Sequence, residues 1–140
     1  MQIRAFTLAD QEAVVQLWKD CDLVRPWNDP AKDIARKLSV APELFVVGLN
    51  AQGQLIATIM AGYEGHRGWI NYLAVHPLHQ RQGHARQLVG WAEQQLMALG
   101  CPKLNLQVRS GNHAVIAFYE SLGYANDASI CMSKRLIADI

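Results

Sequence analysis

Between Ala85 and Leu99 the apolar residues Ala85, Leu88, Val89, Ala92, Leu96 and Leu99 recur with a period close to 3.6. On a helix that period gathers them into one stripe, and such a stripe must be buried against another layer. The run just before it supplies that layer. Trp69 to Val75 reads as a buried strand, followed by the turn His76-Pro77-Leu78-His79. Gly100 suits the C-terminal cap of the helix. Strand, tight glycine-containing loop and long amphipathic helix therefore form the unit around which the rest of the chain must be arranged.

The flanking segments supply a sheet and further helices. Ile3 to Phe6 alternates as a first strand, and Thr7 with Asp10 marks a helix start ahead of the stripe Ala13, Val14, Leu17 and Trp18. Arg25-Pro26-Trp27-Asn28-Asp29-Pro30 is a loop whose Asp29 caps a second helix through Ile34 and Leu38, with Pro30 in its first turn. Leu44 to Leu49, Gln54 to Tyr63 and Trp69 to Val75 form a meander, joined by the turns at Asn50-Ala51-Gln52-Gly53 and Gly65-His66-Arg67-Gly68. Downstream, Leu104 to Val108 alternates as a strand, and Asn112 to Leu122 is an amphipathic helix stopped by Gly123. Ala128 to Leu136 reads as a last strand. The order β-α-α-β-β-β-α-β-α-β places the chain in the α+β class.

Length and charge narrow the functional classes. The 140 residues fit one domain spanning 1–140, large enough to fold without a disulfide or metal. Cys21, Cys101 and Cys131 are odd in number and widely spaced, which suggests neither a bridge framework nor a zinc site. A formal net charge of +1 argues against a nucleic-acid partner. The N-terminus lacks a signal-peptide stretch, and no apolar run reaches membrane-span length. A cytoplasmic protein with no membrane partner is expected.

The loop Gln80-Arg81-Gln82-Gly83-His84-Ala85 lies where a helix begins. The first amides of a helix have no intrahelical partner, and the helix dipole adds positive character there. Small residues at Gly83 and Ala85 let a phosphate approach the backbone, Arg81 and Arg86 add charge, and Gln80 and His84 offer side-chain donors. Taken alone, the glycine reads more readily as a plain turn than as an anion site. No Lys-Ser or Lys-Thr follows a second glycine and no G-x-G-x-x-G is present, so neither a P-loop nor a dinucleotide fold is indicated.

Tyr72-Leu73-Ala74-Val75-His76-Pro77 followed by Gln80 to Ala85 resembles the central Q/R-x-x-G-x-G/A motif of the GNAT superfamily of N-acetyltransferases. A second stretch, Asn112-His113-Ala114-Val115-Ile116-Ala117-Phe118-Tyr119-Glu120-Ser121-Leu122-Gly123-Tyr124, is similar to the family's N-x(6)-Y-x-x-x-G-F/Y helix. The element order matches over essentially the whole chain. Leu106-Gln107-Val108-Arg109 before Asn112 resembles the ribosomal-protein alanine acetyltransferase branch. The Gly62 to Gly68 turn and the Arg25 to Pro30 loop look more like an uncharacterised bacterial branch.

The resemblance implies a central mixed, mostly antiparallel sheet flanked by helices, with acetyl-CoA as co-substrate. It implies that Leu73, Ala74 and Val75 pair with the pantetheine arm, and that an N–H from this strand polarises the thioester carbonyl. Gln80, Arg81, Gln82, Gly83, His84 and Ala85 would hold the pyrophosphate, and Asn112 the pantetheine region. Asn112 is also a natural helix cap, and the two roles are compatible. Tyr119 matches the family tyrosine that protonates the departing thiolate, although by its helix face alone it reads as core. Phe118 reads as core only.

The acceptor is expected to be a primary amine, either on a small molecule or at a protein N-terminus. The related branch carries a glutamate where this chain has Gln107, which takes no proton at neutral pH. Glu64 and His66 are the candidate bases, against the alternative of a solvated turn. Asp22, Arg25 and Trp27 are the candidates for the acceptor pocket, against a loop pinned by its own contacts. Homodimers are common in the family. An acyl-CoA-binding module without efficient catalysis is the alternative reading, because fold alone does not establish activity.

Overall fold

The computed structural model describes residues 1–140. Its order is β1 (Gln2–Ala5), α1 (Gln11–Asp20), α2 (Pro30–Leu38), β2 (Phe45–Leu49), β3 (Leu55–Tyr63), β4 (Gly68–Val75), α3 (His84–Ala98), β5 (Leu104–Asn105) and α4 (His113–Ser121). Short 3-10 turns precede α1 and β2 and follow β4. The five strands lie in chain order, antiparallel from β1 to β4, with β5 parallel to β4. This is the α+β layering expected from the sequence, a mostly antiparallel sheet flanked by four helices.

Strand alternation divides the core between two faces. On one face Val46, Ile59, Ile70 and Val75 pack with Leu88, Val89, Ala92 and Leu96 of α3 and with Tyr119 of α4. On the other, Phe45, Val47, Met60 and Ala74 pack with Val14, Leu17 and Trp18 of α1 and Ile34 of α2. The helix starts have local causes. The Asp29 carboxylate accepts from the amides of Ala31 and Lys32, and Pro30 occupies the first turn of α2. Ahead of α1, Asp10 accepts the Thr7 amide at 2.9 Å and a forked pair of bonds from Arg4 at 2.7 and 2.9 Å. The helix itself therefore begins at Gln11, one 3-10 turn later than the Thr7 signal implies.

Two expectations are corrected. The strand expected over Leu104 to Val108 ends at Asn105, because β4 pairs with it only at Gly68↔Leu104 and Trp69↔Asn105. The last strand expected over Ala128 to Leu136 does not form, so the observed order ends at α4. Asn126 and Asp127 side chains take the amides of Ala128 and Ser129, and Ala128 is left-handed with φ 61°. Those local bonds compete with ladder pairing just where the strand would start.

One irregularity in β4 shapes the site. Ala74 stands opposite Thr58 and Asn71 opposite Met60, so three steps along β4 oppose two along β3. Tyr72 carries the extra residue, with φ 51°. This is a β-bulge, and it sends neighbouring side chains to the same side of the sheet. Asn71 and Tyr72 both face α2, while Leu73 returns to the α3 face.

Candidate active site

The parting of β4 from β5 creates the opening. Beyond Trp69 the outer edge of β4 has no partner strand, and this unpaired stretch contains Leu73, Ala74 and Val75. An unpaired strand edge can take an extended ligand through backbone hydrogen bonds. The bulge is held from the opposite face. Buried Thr58 donates to the Tyr72 carbonyl at 2.9 Å and accepts from the Trp18 indole at 2.9 Å. The Trp18 ring lies on Tyr72 with centroids 3.7 Å apart and planes 11° apart.

At the end of β4 the chain turns into the loop before α3. Arg81 and Gly83 are both left-handed, with φ 62° and 83°. No protein atom lies within 4 Å of where a Cβ on Gly83 would stand, so the backbone conformation, not packing, requires the glycine there. Gln87 is the first helical amide to find an acceptor, the Gly83 carbonyl at 3.1 Å. The amides from Gln82 to Arg86 donate to no protein acceptor. Alternating left- and right-handed residues feeding a helix N-terminus make a concave group of amides suited to an anion. Arg81 and Arg86 form no ion pair, and both are exposed beside this group. These features fit a pyrophosphate. The Gln80 side-chain amide donates to the Val75 carbonyl at 3.0 Å and ties the loop to the strand end.

Tyr119 is 8% exposed on the α3 face of the sheet, in the cluster that also contains Val75. Its ring meets Tyr124 edge-on at 5.6 Å. Burial pushes its hydroxyl up to about 12, so it keeps its proton through the neutral range. Asn112 caps α4 by accepting the Val115 amide at 3.3 Å, and the residue is otherwise exposed.

The remaining candidates are not gathered with these. Arg25 donates to the carbonyls of Asp22 and Val24 at 2.8 and 3.1 Å, which pins its own loop, and Trp27 is 59% exposed. Glu64 accepts the amides of His66 and Arg67, and those bonds hold its carboxyl below the usual range. It is a turn-stabilising carboxylate and a weakened base. Its turn joins the Gly68 end of β4, roughly 15 Å along the strand from Leu73. His66 shares that turn. Gln107 donates to the Cys131 sulfur at 2.6 Å.

Sequence reasoning missed a second group on the α2 side of β4. Tyr72 donates to Asp33 at 2.6 Å, Asn28 also donates to Asp33, and Arg36 reaches the other Asp33 oxygen at 3.0 Å. The available signal was the helical spacing of Asp33, Arg36 and Lys37, which lie on one face of α2. The bulge that brings Tyr72 to them leaves no mark in the sequence.

Comparison with known proteins agrees with this geometry. The model of the acetyltransferase (GNAT) family matches residues 11–124. An acetyltransferase from Yersinia enterocolitica is 50% identical over 139 residues, covering 99% of this chain and 98% of its own. The solved Ard1 from Thermoplasma volcanium superposes with a TM-score of 0.78 at 25% identity, over 91% of this chain and 84% of its own. An aminoglycoside 6'-N-acetyltransferase from Acinetobacter haemolyticus shares the fold, with a TM-score of 0.76 at 19% identity over 98% of this chain and 99% of its own. The chain belongs to the GNAT acetyltransferase family. It is accordingly an enzyme of acetyl transfer, in a family that draws on acetyl-CoA. No helix is long and apolar enough to cross a membrane.

Proposed function

We propose that residues 1–140 work as one cytoplasmic N-acetyltransferase domain that passes the acetyl group of acetyl-CoA directly to a primary amine. The observation that carries this reading is the unpaired edge of β4 beside a loop whose amides have no protein acceptor. In this reading the amides from Arg81 to Ala85 hold the pyrophosphate, with Arg81 and Arg86 adding charge, and Gln80 braces the loop. Leu73 to Val75 pair with the pantetheine arm, and a strand N–H polarises the thioester carbonyl. Asn112 combines helix capping with a contact to the pantetheine region.

Acetyl-CoA supplies the thioester. The amine nitrogen forms the new bond to the carbonyl carbon while the carbon–sulfur bond breaks. Tyr119 gives its proton to the sulfur, and the amine's lost proton passes to solvent. The raised hydroxyl of Tyr119 supports the acid role, since it stays protonated across the neutral and mildly alkaline range in which an amine loses its proton. An α-amino group, with a pKa near 8, needs little help to lose its proton, which suits a site where Gln107 replaces a base. The acceptor class spans small amines and protein N-termini, and neither nucleic acid nor membrane belongs to this reading. A homodimer does, supported by the exposed apolar residues of the last segment.

Calorimetry and thiol release test it together. Acetyl-CoA should bind, and Gly83→Val should weaken that binding by about tenfold or more through strain and obstruction at the amides. A native protein with no affinity for millimolar acetyl-CoA would sink the reading. Affinity without thiol release across a broad amine panel would favour a binding module.

A further inference from the structure

A cleft of about 400 Å³ opens between α2 and β4, lined by Asp33, Arg36, Lys37, Met60, Asn71 and Tyr72 among others. Its charges are unevenly satisfied. Asp33 is fully engaged, accepting from Tyr72, Asn28 and Arg36. Arg36 divides its guanidinium between Asp33 and Asp139, so that pair of residues brings no free charge to the cleft. Lys37 is different. Its ammonium donates to the Ala61 carbonyl at 2.6 Å and stands within 4.0 Å of no carboxylate. Half-burial draws its pKa down, and only the more distant Glu43 works against that. An ammonium has three donors, and a partly desolvated one with a single neutral acceptor is poorly compensated. Asn71 adds a side-chain amide that makes no hydrogen bond within the protein.

The register fixes which end of the cleft is which. Lys37 reaches Ala61, which stands opposite Ile70, whereas Tyr72 with Asp33 lies next to Leu73. An acceptor whose anion sits at Lys37 therefore extends its other end toward Tyr72 and the strand segment assigned to the thioester. The separation along β4 from Ile70 to Leu73 is roughly 7–10 Å, a span that a small bifunctional molecule covers.

We infer that the α2–β4 cleft is the acceptor site and that it selects a small primary amine bearing an anionic group, a carboxylate or a phosphate, held by Lys37 with Asn71. This rests on the acetyl-transfer reading above and adds the acceptor class. Arg25, Trp27, Glu64 and His66 play no part in it.

Matched amines test it: 5-aminopentanoate against pentylamine, L-phenylalanine against phenethylamine, and O-phosphoethanolamine against ethanolamine, with acetyl-CoA and thiol release as the readout. At least one anionic member should exceed its neutral partner in kcat/KM by about tenfold or more. Which pair shows the preference separates carboxylate from phosphate. Lys37→Gln should remove the preference by raising KM for the anionic member about tenfold more than for its neutral partner, and Lys37→Arg should retain it. No preference in any pair, or a preference that survives Lys37→Gln, overturns the inference. If Lys37→Gln fails to fold, the native pairs and Lys37→Arg still decide. Calorimetry separates this inference from its foundation. Absence of acetyl-CoA heat means that the wider reading has failed. Acetyl-CoA heat with neither turnover nor heat from any anionic probe overturns the cleft assignment alone.

Discussion

Tyr119 and Asp10 are both buried, yet their acidities shift in opposite directions. The Tyr119 hydroxyl has no hydrogen-bond partner in the protein, and burial alone raises it to about 12. Its proton stays available, so loss of the acid cannot cause a fall in kcat between neutrality and pH 10. A descending limb in that range that vanishes in Tyr119→Phe would remove the tyrosine from the proposed role. The same substitution should cut kcat by about a hundredfold with acetyl-CoA affinity little changed, as read by thiol release and calorimetry. Asp10 is also buried, yet the Arg4 fork outweighs desolvation and brings its carboxyl from 3.8 down to about 2. The folded pKa lies below the unfolded one. Its stabilisation is therefore present above pH 4 and drains away as pH falls toward 2. Asp10→Asn should cost about 1–2 kcal/mol near neutrality in a urea titration, and that cost should shrink in acid. A cost that stays constant with pH would mean that packing, not the ion pair, holds this corner.

Among the elements, β4 carries the most consequence per residue. Its bulge shifts the register of Ala74 and Val75 against β3 by one residue and turns Asn71 and Tyr72 toward α2. The bulge is over-determined by Thr58, which bridges the Trp18 indole and the Tyr72 carbonyl. Thr58→Val keeps the shape but leaves that buried indole N–H and carbonyl unpaired. It should cost about 2 kcal/mol or more in chemical denaturation and lower kcat beyond what the stability loss explains. A variant equally stable and equally active would show that Tyr72 holds its conformation without the bridge. Strand β4 also marks the limit of what the sequence reveals. Hydrophobic periodicity located β2, β3 and α3 to within a residue or two, because burial on one face dictates those patterns. Gly83 and Asn112 were readable because a left-handed turn and a helix cap each restrict residue type. The bulge was not, since Tyr72 is a residue type with no preference for positive φ and is held there by tertiary contacts. The position of Glu64 and His66 was hidden by the same gap. Chain adjacency to β4 suggested proximity, whereas the strand length puts their turn at the far end.

Across the whole molecule the last segment connects fold, cleft and assembly. Asp139 accepts the Asp29 amide at 2.8 Å and pairs with Arg36, and Arg135 donates to Asn28 at 2.8 Å, so the tail is clamped over the start of α2. The chain leading to that clamp leaves Ile130, Met132 and Leu136 at 87%, 91% and 86% exposure. These three lie on a segment that forms no strand in the single chain, while β5 offers an outer edge that no strand covers. Exposed edges and apolar stripes of this kind are ordinarily paired or protected. A second copy presents both features in complementary form, and the isologous contact of a twofold dimer would cover both at once. Sedimentation across the micromolar range should therefore give a dimer. Ile130→Lys with Met132→Lys should return a monomer whose thermal midpoint at fixed concentration falls with the lost association. Because the tail also closes over Asn28 and Arg36, which buttress Asp33 beside the cleft, the monomer should show a raised KM for the amine and an unchanged affinity for acetyl-CoA. A native chain that sediments as a monomer at every concentration would dispose of the dimer. A dimer that persists in the double lysine variant would move its interface away from this segment.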